Sequence, residues 1–418
     1  MGSDRHVLIV GAGAFGLSTA LHLLLRGWKN ITILDRSPIL PAPDAASTDI
    51  NKVVRSSYSD PTYTRLAREA ISAWKNKEDW GDTYHECGVL LRGGEGTYAN
   101  LALKNDIDHG ARVEQLRSSD EASPLFPVGV PLGPLISSGF QGYVNFDGGW
   151  AYAKQGVELL LAKVRKLGAR VEPNKPVCGL MEDGLGVKLD DNSEVRADLI
   201  IIASGSWTPS TFPDLGISER VLATGQSIAT IQLSETEAKT YETVPIVLDY
   251  TSGFYIFPPD ASNLLKFALH SAGYTHTRNV SGVAVSTPRT HISHPDQGTI
   301  PLEMAESLRT ALASLYPDLG QRPFSNTRMC WYADTPDSDW LIDFHPAHPS
   351  VLFATGGSGH AFKFLPILGR LVADRLEGKL DPALVEKFSY TRTRSTGHLV
   401  DPTRPFSVPK ELDISQLC

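Results

Sequence analysis

The sequence predicts an α/β plus antiparallel-β protein of two domains, one Rossmann-like and one built mostly from antiparallel sheet. Three observations carry this expectation. A glycine-rich βαβ unit opens the chain at Val7. A stretch from about residue 215 to 325 is rich in Thr, Ser and Pro and alternates polar with apolar residues, as sheet does. The chain has 418 residues, whereas a single core rarely grows past about 250–300.

The elements follow in order. Val7–Val10 reads as a short buried strand, 15–26 as a helix ended by Gly27, and Ile31–Leu34 as a second strand closing on Asp35. Pro61–Trp74 reads as a helix with proline at its start, where a missing N–H costs least. The stretch 150–167 reads as a further helix, stopped by Gly168. Residues 187–189 and 195–202 read as two strands around the turn Asp190-Asp191-Asn192-Ser193. One helix, Leu302–Leu315, is expected within the antiparallel region, and another over 366–376 before Gly378. The polar tail after Lys387 is expected to wrap the surface. These readings place a discontinuous nucleotide-binding domain at 1–80, 145–214 and 326–418, and a substrate domain at 81–144 and 215–325.

Composition narrows the function. Lys and Arg number 39 against 47 Asp and Glu, a net charge of -8, so nucleic acid is not an expected partner. No apolar run approaches the length of a membrane span. The four cysteines, Cys87, Cys178, Cys330 and Cys418, are widely spaced without a Cys-x-x-Cys pair. Neither a disulfide framework nor a metal site is expected, and a reducing compartment is. The final residues Gln416-Leu417-Cys418 are not the Ser-Lys-Leu address, so cytoplasm and peroxisome both stay open. A monomer is expected.

Gly11, Gly13 and Gly16 form G-x-G-x-x-G between the first strand and its helix. The first glycine allows the tight turn, the second lets a pyrophosphate approach the backbone, and the third lets helix lie close on strand. The helix start, at Ala14 and Phe15, presents unpaired N–H groups to phosphate. Asp35 lies 19 residues after Gly16 at the end of the second strand, where a carboxylate can accept from ribose hydroxyls; Arg36 follows it. The position at the N-terminus favours FAD over NAD. The run 197–205, an apolar strand ending in small residues, is consistent with passage near the same nucleotide, although a buried core strand has the same composition.

Three further motifs carry a family resemblance. Thr327-Arg328-Met329-Cys330-Trp331-Tyr332-Ala333-Asp334 resembles the covalent-flavin segment of the monomeric sarcosine oxidase family. Gly356-Gly357-Ser358-Gly359-His360-Ala361-Phe362-Lys363-Phe364 resembles its second flavin signature, and Asp49-Ile50-Asn51-Lys52-Val53-Val54-Arg55 resembles the loop passing the flavin ring. Within the family, Leu222-Ala223-Thr224-Gly225-Gln226 and Gly253-Phe254-Tyr255-Ile256-Phe257 look most like the fungal saccharopine and pipecolate oxidases. Fructosyl amino acid oxidases are near relatives in appearance. They usually carry an acidic pair after the central lysine, and here Lys266-Phe267-Ala268-Leu269-His270 carries none.

The resemblance implies a two-domain flavoprotein that oxidises the C–N bond of an amino-acid-like secondary amine with oxygen, giving an imine and hydrogen peroxide. Fructosyl amine oxidation, a biosynthetic tailoring oxidase and a non-catalytic flavoprotein are the alternatives. It implies that Cys330 bonds FAD covalently and that Asn51, Lys52, Gly357, Gly359, His360 and Lys363 contact it. Lys266 is the implied oxygen-activating cation, with His270 as a second catalytic candidate. Arg55 and Lys363 are the implied carboxylate ligands, with Tyr255 beside the substrate. His270 and His360 have a plain structural reading as well. His345-Pro346-Ala347-His348 reads as a loop rather than a metal site.

Overall fold

The computed structural model describes residues 4–93, 97–295, 298–393 and 408–418. Its first layer is a six-stranded sheet in the order Leu341–His345, His348–Thr355, Leu199–Ile202, β1 (Val7–Val10), β2 (Ile31–Leu34) and Arg170–Glu172. All neighbours run parallel except the edge strand Leu341–His345. Every residue of β1, β2 and Leu199–Ile202 is buried. That explains their Val/Ile/Leu-rich runs, interrupted only by Thr32, since a parallel sheet is covered on both faces.

Helix α1 (Ala14–Leu25) covers one face and packs on the helix Leu365–Leu376. The two approach so closely that a Cβ on Gly369 would lie 2.0 Å from the carbonyl carbon of Ser18. Ser18 seals the crossing: its Oγ donates to the Leu365 carbonyl at 2.8 Å and accepts from the Gly369 N–H at 2.8 Å. The helix α2 (Pro61–Trp74) begins at Asp60, whose carboxylate accepts from the Thr62 N–H.

The second layer is a ten-stranded, mostly antiparallel sheet. Its centre is Leu222–Gln232, paired on one side with Leu264–Leu269 and on the other with Asn326–Asp334. The latter pairing puts Cys330 opposite Gln226. The strand starting at the expected boundary at 326 therefore hydrogen-bonds into this larger sheet. A small three-stranded sheet of Asn51–Val54 (β3), Gly149–Tyr152 and Tyr84–Glu86 lies at the junction.

Several elements differ from the sequence reading. The expected helix over 150–167 is a strand, Gly149–Tyr152, followed by a helix, Ala153–Lys166. Trp150 and Tyr152 are large and β-prone, and they pair with β3 before the helix begins. The expected strand over 195–202 is two strands in different sheets: Glu194–Arg196 closes a three-stranded antiparallel sheet, and Leu199–Ile202 enters the parallel one. The antiparallel region also holds the short helix Pro317–Gly320 and the helix Glu235–Tyr241, set by a reciprocal cap between Ser234 and Glu237. Residues 394–407 of the tail lie outside the described residues. Residues 410–411 add a short parallel strand to Tyr274–Thr275.

Candidate active site

The glycine fingerprint acts through close approach. A Cβ on Gly11 would lie 2.5 Å from the Ala203 carbonyl oxygen, and one on Gly16 would lie 1.9 Å from that of Gly11. Gly13 differs: only Ser47 Oγ, at 3.6 Å, comes near its missing side chain. Gly13 precedes α1 without a side-chain cap, so first-turn N–H groups, which have no intrahelical acceptor, open onto a long trough. Gly11, Gly13, Ala14, Phe15, Asp35 and Arg36 line that trough. Asp35 accepts from the Ala12 N–H and the Ser37 N–H, both at 2.8 Å. Burial raises its pKa, partly offset by those two bonds. Arg36 lies over Trp207, 5.1 Å from its ring centre.

The trough runs past Tyr332, Gly357, Gly359 and Phe362 to Lys52. There it meets a second cavity, which Lys52, Tyr332, Gly359 and Phe362 also line. Gly356 and Gly359 have φ of 71° and 72°, which glycine adopts without penalty. A Cβ on Gly359 would lie 2.4 Å from the Tyr332 ring, so the glycine lets that ring into the junction. Arg55, Tyr58, Tyr250, Tyr255, His270 and Lys363 are among the residues lining the second cavity. His270 is held by Gly253 (φ 77°), whose carbonyl accepts from the His270 N–H at 2.8 Å. Lys363 is buried, as are Cys330 and Lys266.

At the junction, Asp49 binds two lysines through one oxygen. Lys52 Nζ donates to Oδ2 at 2.8 Å and Lys266 Nζ at 2.6 Å. Lys266 also donates to the Asn51 carbonyl at 2.7 Å and lies over Phe257. Burial pushes Lys266 down to about 8, with Asp49 opposing and Lys52 assisting that fall. Burial acts the same way on Lys52, but Asp49, Cys330 and Tyr255 outweigh it and hold its pKa above the usual lysine range. Burial works to raise the Asp49 pKa, yet the surrounding cations, Lys266 foremost, hold it well below the carboxylate range. Cys330 Sγ lies 3.9 Å from Lys52 Nζ. Lys52 thus lines both cavities, and Lys266 sits behind it.

The residues present suit a flavin dinucleotide. The α1 N-terminus offers amide donors to a pyrophosphate. Both polar atoms of the Asn51 side chain are buried without a hydrogen-bond partner, a state that costs energy unless a bound group satisfies it. Lys52 lines the place where trough and cavity meet, and the fully buried Cys330 and Lys266 lie behind it. Among the described residues no cluster of His, Cys, Asp or Glu has the form of a metal site, and no helix is long and apolar enough to cross a membrane.

Sequence reasoning missed Asp49 as the partner of Lys266, although Asp49 stands in the quoted motif. It also missed the aromatic wall of Tyr58, Tyr98 and Tyr250 around Arg55. Arg55 lies 4.6 Å from the Tyr58 ring centre and 5.9 Å from that of Tyr250. Tyr58 stands three residues after Arg55, but nothing in the spacing alone marks it.

A largely parallel nucleotide-binding sheet, a separate, mostly antiparallel sheet and a cavity lined by residues of both parts define a two-domain flavin-dependent oxidoreductase. The chain belongs to the FAD dependent oxidoreductase family, whose model matches residues 6–375. It is 35% identical over 405 residues to L-saccharopine oxidase of Schizosaccharomyces pombe, covering 90% of this chain and 91% of that one. It is 25% identical to human peroxisomal sarcosine oxidase, covering 93% and 96%. Among solved structures it superposes on the deglycating fructosamine oxidase Amadoriase II of Aspergillus fumigatus with a TM-score of 0.83 at 28% identity, covering 99% and 96%. The resemblance to the sarcosine oxidase group therefore holds along nearly the whole chain.

Proposed function

We propose that the chain oxidises the C–N bond of an N-substituted, secondary-amine amino acid of the saccharopine or pipecolate kind. The products are an imine, later hydrolysed, and hydrogen peroxide. The observation that carries this reading is the pairing of Arg55 and Lys363 about a single ring, Tyr58, in a cavity that opens through Lys52 onto the dinucleotide trough. The name and coverage of the fission-yeast relative support the substrate class.

Arg55 offers a planar fork to the substrate carboxylate and Lys363 a compact charge. Their combined positive charge disfavours a protonated amine nearby, so the neutral amine, the form that can be oxidised, is favoured. Tyr255 and His270 wall the space where the amine sits. FAD, when bound, would supply the redox chemistry: acceptance of a hydride equivalent from the carbon beside the amine and two-electron reduction of oxygen. The α1 N-terminus, Asp35, Asn51 and Lys52 would hold it, and Cys330 would tie it through sulfur. Lys266 supplies buried positive charge near the junction, where it favours an oxygen molecule gaining negative charge.

A peroxide assay over N-substituted amino acids tests the proposal. Saccharopine, pipecolate, sarcosine and a fructosyl amino acid form the panel. Turnover of a secondary-amine amino acid with peroxide release is expected. Turnover confined to the fructosyl compound would replace the proposal with the deglycating alternative.

A further inference from the structure

The cavity contains a directional hydrogen-bond chain. Lys363 Nζ donates to Tyr58 Oη at 2.8 Å and to the His360 carbonyl at 2.8 Å. Tyr58 Oη lies 3.2 Å from His360 Nδ1. His360 Nε2 lies 2.8 Å from the Ser338 carbonyl. A carbonyl can only accept, so Nε2 carries a proton. In the neutral imidazole the other ring nitrogen, Nδ1, is an acceptor. Tyr58 therefore donates to it. The hydroxyl proton being committed to His360, the Tyr58 lone pairs face Lys363.

The imidazole itself is locked. It stacks on Trp340 with 24° between the rings and meets Tyr63 edge-on at 4.9 Å. Its position therefore fixes that of Tyr58, and Tyr58 in turn fixes Lys363. A lysine side chain has large rotamer freedom, and removing it beforehand lowers the cost of binding an anion. The same tyrosine ring lies under Arg55, so one residue touches both proposed carboxylate ligands.

We infer that Tyr58 and His360 are positioning residues that act through Lys363, holding its ammonium where it meets the substrate carboxylate. The inference rests on the reading of Lys363 as a carboxylate ligand and goes beyond it. Neither residue transfers electrons or protons in this role. Their effect falls on affinity for carboxylates rather than on the chemical step.

Acetate, titrated into the FAD-loaded enzyme and followed by the change in flavin absorption, is the probe. Tyr58→Phe keeps the ring beneath Arg55 and removes only the hydroxyl, so acetate binding should weaken about tenfold. His360→Leu should match it. His360→Gln, which retains a donor and an acceptor, should bind within about threefold of wild type. In a Lys363→Met background, Tyr58→Phe should have no further effect, because the two act as one unit. Thermal unfolding of each variant separates loss of fold from loss of positioning. If Lys363→Met weakens acetate but Tyr58→Phe does not, the inference is overturned and the carboxylate reading stands. Fully additive effects of the two substitutions would also overturn it, by giving Tyr58 an independent role. If wild type shows no acetate binding, or Lys363→Met leaves it unchanged, the carboxylate reading falls and the inference falls with it.

Discussion

Lys266 Nζ lies 2.6 Å from Asp49 Oδ2, and the same oxygen accepts from Lys52 at 2.8 Å. Two lysines thus share one carboxylate at the meeting point of trough and cavity, leaving a net positive charge. Replacing Lys266 by Met should separate the two half-reactions. Loss of one preorganised charge should slow reoxidation by roughly 10²-fold or more, with flavin reduction by the amine changed less. Stopped-flow absorbance follows bleaching under nitrogen and recovery with oxygen separately. Wild-type recovery in the variant would shift the role to Lys52, which lines both cavities.

The pH dependence of the same step has a definite sign. Burial lowers Lys266 to about 8 despite Asp49. Its ammonium is present below that pH and lost above it. The rate of reoxidation by oxygen should therefore fall as pH rises through about 8, measured at fixed oxygen concentration. A rate that rises through this range would contradict the assigned charge.

Cys330 is fully buried and lies 3.9 Å from Lys52 Nζ, the lysine that lines both trough and cavity. Flavin colour should stay with the chain after acid denaturation, and Cys330→Ser should release it. Free separation of flavin from the wild-type protein in acid would refute the covalent assignment.

The α1 crossing with Leu365–Leu376 tolerates no side chain at Gly369, where an added Cβ would lie 2.0 Å from the Ser18 backbone. Gly369→Val should destabilise the fold by at least the 1–3 kcal/mol typical of overpacking. Thermal unfolding would register this as a lowered midpoint.

Much of this architecture was legible in the sequence. Gly11, Gly13, Gly16 and Asp35 announce the nucleotide trough because a dinucleotide turn has fixed geometric needs. Pro61–Trp74 and Leu302–Leu315 form as their patterns predict. Local pattern failed where tertiary pairing decides. Trp150 joins a strand because β3 and Tyr84–Glu86 flank it, contacts made by residues far away in sequence. Cys330, Lys266 and Lys363 stood out through family motifs. Asp49 and Tyr58 did not, because their importance lies in which side chains they meet across more than 200 residues of chain.

The central claim is that Arg55 and Lys363 hold a carboxylate so that the adjoining amine is oxidised. Its most direct test is anaerobic flavin bleaching by an N-substituted amino acid and by its descarboxy analogue, in wild type, Arg55→Ala and Lys363→Ala. The amino acid should bleach wild type far faster than the analogue does at equal concentration. Either substitution should cost on the order of 2–5 kcal/mol in kcat/KM for the amino acid, leaving the slow reaction of the analogue little changed. Equal bleaching of the wild type by both compounds would contradict the account.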